Sequence, residues 1–522
     1  MSSEEIDLLY HSYFSIITTT DSDSLSTGGT DDQDNVFLAS NYSSFAANTV
    51  SSPDIEFDST TGKITVKATG TYLLVYVPTF TVAGGAGVRS RIVKNGSAVY
   101  TTPNMTAFPS TDPISATCQT ILDLTAGDYL ELTLSGDITT AIVAQNGTSF
   151  TMLKANGDYA NILQTADGTQ GVANTLEVIG DEDRAGSGNI TTNLNNVTYT
   201  ASTGLLTPAN TRPFLLIASL AGTSTTTSEE TFIGVYADGS LIDGSSALIH
   251  KDNDPNEESY GLLKTLTGGE TVSGRYQGGS GTKITPLQGT SFSVFDVSHN
   301  NGSGTPSAFI SMAVTADSNL QGTGEKNCFD EDNWGSYSTV THSTATNITY
   351  TSGDGTFVVA SAGKYFILWN LVLGDSRSSS ERIVRIKKGS NTVYQAPAMA
   401  FSSIAYNPLE KTVCVILDAD AGDSFTFLVE GIRGRIDDGT GVTIFRVDDL
   451  KDLHVQSVPT DSLIADDFTI NSFSAGGRSV QYNRAGSKQV PFTLGIPGPL
   501  SLRGREGTIS EPPIVKPGDK KS

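Results

Sequence analysis

Asp252, Asp254 and Asn256 place carboxylate and amide oxygens at alternate positions, which is how a calcium-binding loop opens, because hard cations gather oxygen ligands. The pattern then breaks. Glu257 stands where a sharp-turn glycine belongs, Pro255 stiffens the loop, and no glutamate closes the frame. Asp330-Glu331-Asp332 and Asp437-Asp438 also concentrate carboxylates, and at all three places a solvated acidic loop is expected. The histidines His11, His250, His299, His342 and His454 are scattered, and no two stand at metal-ligand spacing. No Gly-x-x-x-x-Gly-Lys-Ser/Thr run offers a phosphate cradle. Gly278-Gly279-Ser280-Gly281 lacks the strand-to-helix setting of a nucleophile elbow and reads as a hairpin tip. With no convergence of nucleophile, base and oxyanion donors, the chain is expected to be no enzyme, with no catalytic residue, cofactor or metal.

What remains is charge. The formal net charge is −24 with 17% charged residues, and such an acidic body would be repelled by nucleic acid or an anionic membrane, so neither is expected as a partner. From Asn471 onward the balance reverses: Arg478, Arg484, Lys488, Arg503, Arg505, Lys516, Lys520 and Lys521 face only Glu506, Glu511 and Asp519, a local +5 that leaves −29 on the rest. Seven of the 19 prolines lie beyond Asp448, which favours extended chain. Residues 450–522 are therefore expected to form an extended arm, basic from about 471. Arg478, Arg484, Lys488, Arg503, Arg505 and Lys516 would dock it on an acidic surface of a partner or of the body itself.

The elements that would carry these groups recur three times. An apolar strand follows a Gly-x-aromatic step, then come a small hairpin turn, a second apolar strand closed by a Gly-acidic turn, and a Gly-led last strand. The first copy reads Gly70-Thr71-Tyr72, Asn95-Gly96-Ser97, Ala126-Gly127-Asp128 and Gly147-Thr148-Ser149-Phe150. The third reads Gly363-Lys364-Tyr365, Lys388-Gly389-Ser390, Ala421-Gly422-Asp423 and Gly441-Val442-Thr443-Ile444. The middle copy keeps Asp238-Gly239-Ser240, Gly268-Gly269-Glu270 and Gly289-Thr290-Ser291-Phe292 but has Thr211-Arg212-Pro213-Phe214 in place of Gly-x-Tyr. From the acidic turn residue to the Gly of the last strand there are 19, 19 and 18 positions. The acidic turn itself recurs after 142 and 153 positions, the size of a domain rather than of a solenoid unit. The expected division is 1–156, 157–302 and 303–449, followed by the arm.

Short apolar runs bounded by Gly, Asp and Asn, with almost no helical periodicity, make the chain all-β, with two packed antiparallel sheets in each copy. Glycine before the aromatic strand is expected to relieve a sharp backbone turn, Tyr to bury a large ring with a polar tip, and the Gly-acidic turn to use positive φ while its carboxylate takes local N–H bonds. Cys118 and Cys414 fall ten and nine positions before their acidic turns and read as small buried residues on one repeated strand; an odd total of 3 cysteines is no disulfide framework. Met1-Ser2-Ser3-Glu4-Glu5 is acidic where a secretory signal needs positive charge, and no run is apolar enough for a membrane span.

The order of these landmarks resembles the jelly-roll module shared by the complement globular head and tumour necrosis factor. It runs from Ala308-Phe309-Ile310-Ser311 through Gly355-Thr356-Phe357 to Ile444-Phe445 in the third copy, from Tyr13-Phe14-Ser15-Ile16 through Gly62-Lys63-Ile64 to Phe150 in the first, and from Tyr159-Ala160-Asn161-Ile162 through Gly204-Leu205-Leu206 to Phe292 in the second. The resemblance implies three tandem jelly-roll sandwiches whose first and last strands pair antiparallel. It also implies side-by-side packing, so that the chain's own modules would form a pseudo-threefold cluster, with an in-line homotrimer as the competing arrangement. Acidic Gly/Ser/Thr-rich chains of this kind look most like virion proteins of tailed bacteriophages: a capsid decoration or head or tail appendage on the virion surface, made in the host cytoplasm, whose partners are other capsid or tail proteins. The rival is a receptor- or carbohydrate-binding adhesin or fibre, using loops Gly222 to Glu230 and Gly374 to Glu381. Trp334 and Trp369 are few aromatic platforms for it, and Trp369 sits in a core strand pattern.

Overall fold

Side chains alternate across a strand, so a strand buried at every position has to be covered on both faces. Tyr13–Thr18, Ser291–Asp296 and Phe309–Val314 are buried throughout. Each therefore lies between its own sandwich and something else. A computed structural model describes residues 12–448 apart from 27–33, 83–86, 104, 107–112, 137–140, 156, 187, 226–229, 249–255, 280, 299–305, 307, 319–323, 335–338, 345–346, 376–381, 399–407 and 431–433, together with four short strands beyond residue 472. Among the described residues no helix is long and apolar enough to cross a membrane.

Four strands recur in one sheet of each copy. They are β1 (Tyr13–Thr18), β2 (Gly70–Val77), β3 (Cys118–Leu124) and β4 (Ser149–Lys154); β5 (Tyr159–Gln164), β6 (Arg212–Ser224), β7 (Asn256–Leu266) and β8 (Ser291–Asp296); and β9 (Phe309–Val314), β10 (Gly363–Asp375), β11 (Pro408–Ala419) and β12 (Gly441–Arg446). The order is the same each time: β1-β4-β2-β3, β5-β8-β6-β7 and β9-β12-β10-β11, with an edge strand (Ala47–Ser51, Ile190–Asn195, Thr339–Thr344) beside the first. First and last strands pair antiparallel, as Ser15↔Thr151, Asn161↔Ser293 and Ser311↔Thr443. A second antiparallel sheet closes each sandwich, built on Tyr129–Gly136, Val272–Gly278 or Ser424–Glu430. The chain is all-β, three antiparallel jelly rolls in tandem. Copy one departs from the other two where β2 ends. Pro78, with no N–H to give a ladder, separates β2 from Thr79–Val82, where β6 and β10 run on unbroken.

Local chemistry accounts for the repeated turns. Asn95 and Gly96 (φ 50° and 81°), like Asp238 and Gly239 (45° and 77°), have the paired positive φ of a tight hairpin between Gly87–Lys94 and Ser97–Thr101, and between Glu230–Ala237 and Ser240–Leu248. In the acidic turns Gly127, Gly269 and Gly422 sit at φ 95°, 88° and 90°. The carboxylates of Asp128, Glu270 and Asp423 each accept the N–H three residues back, from Thr125, Thr267 and Asp420, at 2.8 Å. That bond, with others from Asn95 and Lys94, holds Asp128 down at about 2. Tyr72 and Tyr365 are buried with their hydroxyls donating to Ala68 and Ser361 carbonyls at 2.7 Å. Tyr365→Phe is expected to cost about 1 kcal/mol in a thermal melt, the net worth of such a bond.

Three expectations change. Gly70 and Gly363 do not take positive φ, so no sharp turn requires glycine there; a Cβ would meet the movable side-chain ends of Lys154 at Gly70 and of Arg446 and Asp448 at Gly363. Gly278-Gly279-Ser280-Gly281 is not a hairpin tip, because Val272–Gly278 pairs with Glu230–Ala237 whereas the next strand, Ile284–Pro286, pairs with β6; the segment crosses between sheets. Cys118 and Cys414 do not occupy one repeated position. Leu122 opposite Tyr72 matches Leu417 opposite Tyr365, so Cys118 matches Val413 and Cys414 is one residue on, facing the other way. Both thiols are buried, and burial pushes both upward.

Residues His11–Asp449 form one compact unit. Each sandwich has its own apolar core, around Tyr72, Phe214 or Trp369. A further core is shared: Leu73, Val75 and Ile121 from the first copy meet Leu215, Ile217 and Leu263 from the second and Phe366, Leu368 and Ile416 from the third. The other unit, Met1–Tyr10 with Leu450–Ser522, contains two short antiparallel ladders, Phe473–Ala475 with Arg478–Val480 and Gly504–Arg505 with Thr508–Ile509.

Candidate functional site

The shared core is bordered by polar contacts that repeat from seam to seam. On the first copy Ser15 Oγ and Thr151 Oγ1 are 3.1 Å apart. Ser15 Oγ accepts from Ile416 N at 3.0 Å and Thr151 Oγ1 donates to Cys414 O at 3.0 Å, so β1 and β4 lie on β11 of the third copy. The equivalent Ser311 on β9 accepts from Leu263 N of β7 at 3.0 Å. The equivalent Asn161 on β5 donates to Thr120 Oγ1 of β3 at 3.2 Å, and Gln119 returns a bond to Ile217 O at 2.8 Å. Each copy thus sets its first and last strands on the third inner strand of another: first on third, third on second, second on first. These are heterologous contacts that close into a ring.

Where the three receiving strands converge, polar groups collect. Thr117, Ser259 and Thr412 stand five residues before the equivalent Leu122, Lys264 and Leu417, and all three are buried. Ser259 Oγ lies 3.0 Å from Thr117 Oγ1 and 2.6 Å from Thr412 Oγ1, joining the three copies through hydroxyls. Two residues earlier the copies carry Ser115, Glu257 and Glu410. Glu257 accepts from Thr117 N across the seam at 2.7 Å and from Ser219 Oγ at 2.5 Å. Glu410 accepts from Ser259 N across the next seam at 2.9 Å. Its other oxygen, Oε2, is shut off from solvent and has no hydrogen-bond partner. Between them stand Ala116, Glu258 and Lys411, the last donating from Nζ to Thr79 Oγ1 at 2.5 Å and Ser115 Oγ at 2.8 Å.

Burial dominates the electrostatics here. It pushes Glu257 up to about 8 against the bonds from Ser219 and Thr117, and raises Glu410 well above the carboxylate range with Glu257 adding to the rise. It brings the Lys411 amine down to about 7. Since the folded chain disfavours the Lys411 charge, that destabilisation is complete below pH 7 and fades toward the ordinary lysine range. Lys411→Met should therefore raise stability by about 1 to 3 kcal/mol near pH 6 and by progressively less toward pH 10, measured by chemical denaturation.

Neither the seam carboxyls nor the hydroxyl triad was among the candidates that sequence reasoning selected. A usable signal is the pair of charges, Glu257-Glu258 and Glu410-Lys411, each standing just before the hydroxyl and the apolar residues of its strand. Of the acidic runs, Asp330 caps the short helix α1 of the third copy (Glu331–Trp334), its carboxylate accepting from Asp332 N at 3.1 Å. Asp437 accepts from Arg435 Nε at 2.5 Å and is raised by burial to about 7, while Arg435 also pairs with Asp317 at 3.1 Å. Asp252 and Asp254 lie outside the described residues, as do His11, His250, His299 and His454; His342 falls in Thr339–Thr344. No group of three or more His, Cys, Asp or Glu among the described residues is arranged to hold a metal ion. Trp369 is fully buried in the core of its own sandwich. Most of the two loops expected to serve an adhesin lies outside the described residues. So do Arg484, Lys488, Arg503 and Lys516 of the arm, while Arg478 and Arg505 fall in its two short ladders.

No family model matches the sequence, and no curated protein matches it. Among solved structures, the Eiger tumour necrosis factor from S. frugiperda aligns at 12% identity over 28% of this chain and 92% of its own, with a TM-score of 0.20. A structure described as the triple jelly roll fold and turret assembly in an archaeal virus aligns at 10% identity over 82% of this chain and 91% of its own, with a TM-score of 0.15. The jelly-roll assignment rests on the strand order and register described above, to which alignments at these scores add nothing.

Proposed function

We propose that this chain is a non-enzymatic structural protein of a virion, a capsid decoration or a head or tail appendage of a tailed bacteriophage, acting through protein contacts. In this reading the three modules form a pseudo-threefold cluster within one chain, and the segment from about 471 docks the cluster on an acidic capsid or tail surface. The observation that carries the reading is the shared apolar core ringed by repeated seam contacts. A chain that closes its inner sheets on one another has a rigid block to present, with outer sheets and loops left for partners. The buried groups at the convergence are enclosed by three modules, an arrangement suited to holding parts together.

Two measurements test the proposal. Mass spectrometry of purified virions should find the protein at a fixed copy number per particle; its absence from particles would remove the virion reading. Deletion of Asn471 to Ser522 should leave the three modules folded but weaken attachment. Attachment of the intact chain should weaken as salt is raised, since exposed charge pairs are screened over about 10 Å at 0.1 M. Normal attachment of the truncated chain would sink the docking role.

A further inference from the structure

Two carboxyl groups reach across seams to backbone N–H groups of the neighbouring module, Glu257 to Thr117 and Glu410 to Ser259. We infer that Glu257 and Glu410 are a proton-operated latch between the modules: protonated they bridge the seams, and ionised they place two like charges at the enclosed convergence and drive the seams apart.

The geometry gives each carboxyl a use for its proton. With Glu257 protonated on Oε1, the 2.5 Å contact to Ser219 can run from the acid to the hydroxyl while Oε2 keeps accepting from Thr117 N. Glu410 keeps its Oε1 bond from Ser259 N, and a proton on Oε2 removes the need to bury a bare anionic oxygen there. The titratable and hydroxyl groups around the pair come from several strands of the three modules. Thr117 and Cys118 come from β3 and its approach, Thr79 and Ser115 from the short strands Thr79–Val82 and Ile114–Ser115, and Tyr100 from Ser97–Thr101. Ser219 comes from β6, Glu258 and Ser259 from β7, and Lys411 and Thr412 from β11. Lys411 is the only cation among these, and its Nζ donates to two hydroxyls.

The direction of the effect follows. A buried acid whose proton is held up to about 8 in the closed ring, but released in the ordinary carboxylate range when exposed, favours closure fully in acid and loses that contribution as pH rises through 8. Lys411 acts in the opposite sense: its cost is greatest below 7 and fades above it. Around pH 8 the lysine is therefore already neutral when Glu257 ionises, and no positive charge arrives to offset it.

Two buried thiols in the third module report the outcome. Cys414 faces the shared core, and Cys328 lies in the module's own sandwich. Opening of the seams exposes the first alone; unfolding of the module exposes both. In the full-length chain, alkylation of Cys414 relative to Cys328, each normalised to its rate in denaturant, is expected to rise on the order of tenfold or more between about pH 6 and pH 9, with a midpoint near 8. The double variant Glu257→Gln with Glu410→Gln should abolish the rise and leave only the opposite, falling trend set by Lys411. A wild-type ratio that does not change, an equal rise in the double variant, or a parallel rise of both thiols would overturn the latch. Should the variant fail to fold, hydrogen exchange on the wild type decides: the amides of Thr117 and Ser259 should lose protection above pH 8 before that of Phe427, and simultaneous or absent loss rejects the inference.

Discussion

Leu368→Asp is expected to separate the three modules while leaving each sandwich folded. Leu368 on β10 is fully buried in the shared core and packs on the second module at Gly261, where even a Cβ would overlap it. Its neighbour Asn370, on the same face, donates to Gly261 O at 2.9 Å. An aspartate there would be a charge with no partner in an apolar enclosure, costing about 3 to 5 kcal/mol or forcing the seam open to water. Because Leu368 faces away from the sandwich core, the cost should fall on the association of modules. Small-angle scattering should then show an expanded particle of unchanged mass, with a far-ultraviolet spectrum like that of the wild type. A particle of wild-type dimensions would contradict the assignment of Leu368 to the seam.

One residue along, the outcome should reverse. Trp369 points into the third sandwich, its ring meeting Phe427 edge-on at 5.3 Å, and Trp369→Ala should cost about 3 to 5 kcal/mol by leaving a large cavity. Calorimetry should record an early transition belonging to the third module. Trp369→Phe is a sharper check. The indole Nε1 is buried without a hydrogen-bond partner, so phenylalanine removes an unmet donor along with some volume and should cost much less than alanine. Equal losses for the two variants would show that packing volume is not what the tryptophan contributes.

Alternation also sets the limit of what could be read in the sequence. The three copies, their antiparallel strands and their turns were legible because glycine at positive φ followed by a carboxylate is a local device, written in consecutive residues such as Gly127-Asp128 and Gly422-Asp423. Cys118 and Cys414 were harder. Counting from the acidic turn puts them one residue apart, and in a strand one residue is the difference between a sandwich core and a seam. The convergence site was less legible still. Ser115, Glu257 and Glu410 share a place in the fold but not a residue type, and their burial comes from contacts between modules, on which periodicity within a module is silent. The break at Pro78 could be inferred from proline chemistry alone, whereas the crossing at Gly278 to Gly281 could not, because glycine serves a hairpin and a sheet-to-sheet crossing equally well.

A ring of seams closed inside one polypeptide also fixes a count. In a ring of three separate identical chains every outward feature would occur three times; here each occurs once. The first module's second sheet sets Lys63 over the Tyr129 ring at 3.8 Å, the second sets Arg275 over Tyr236 at 4.7 Å, and the third holds Arg385 between Glu325 at 3.0 Å and Glu430 at 2.5 Å. A partner that recognises one of these flanks has one place to bind per ring and meets it in one orientation, so the stoichiometry is one to one even though the scaffold repeats its fold three times.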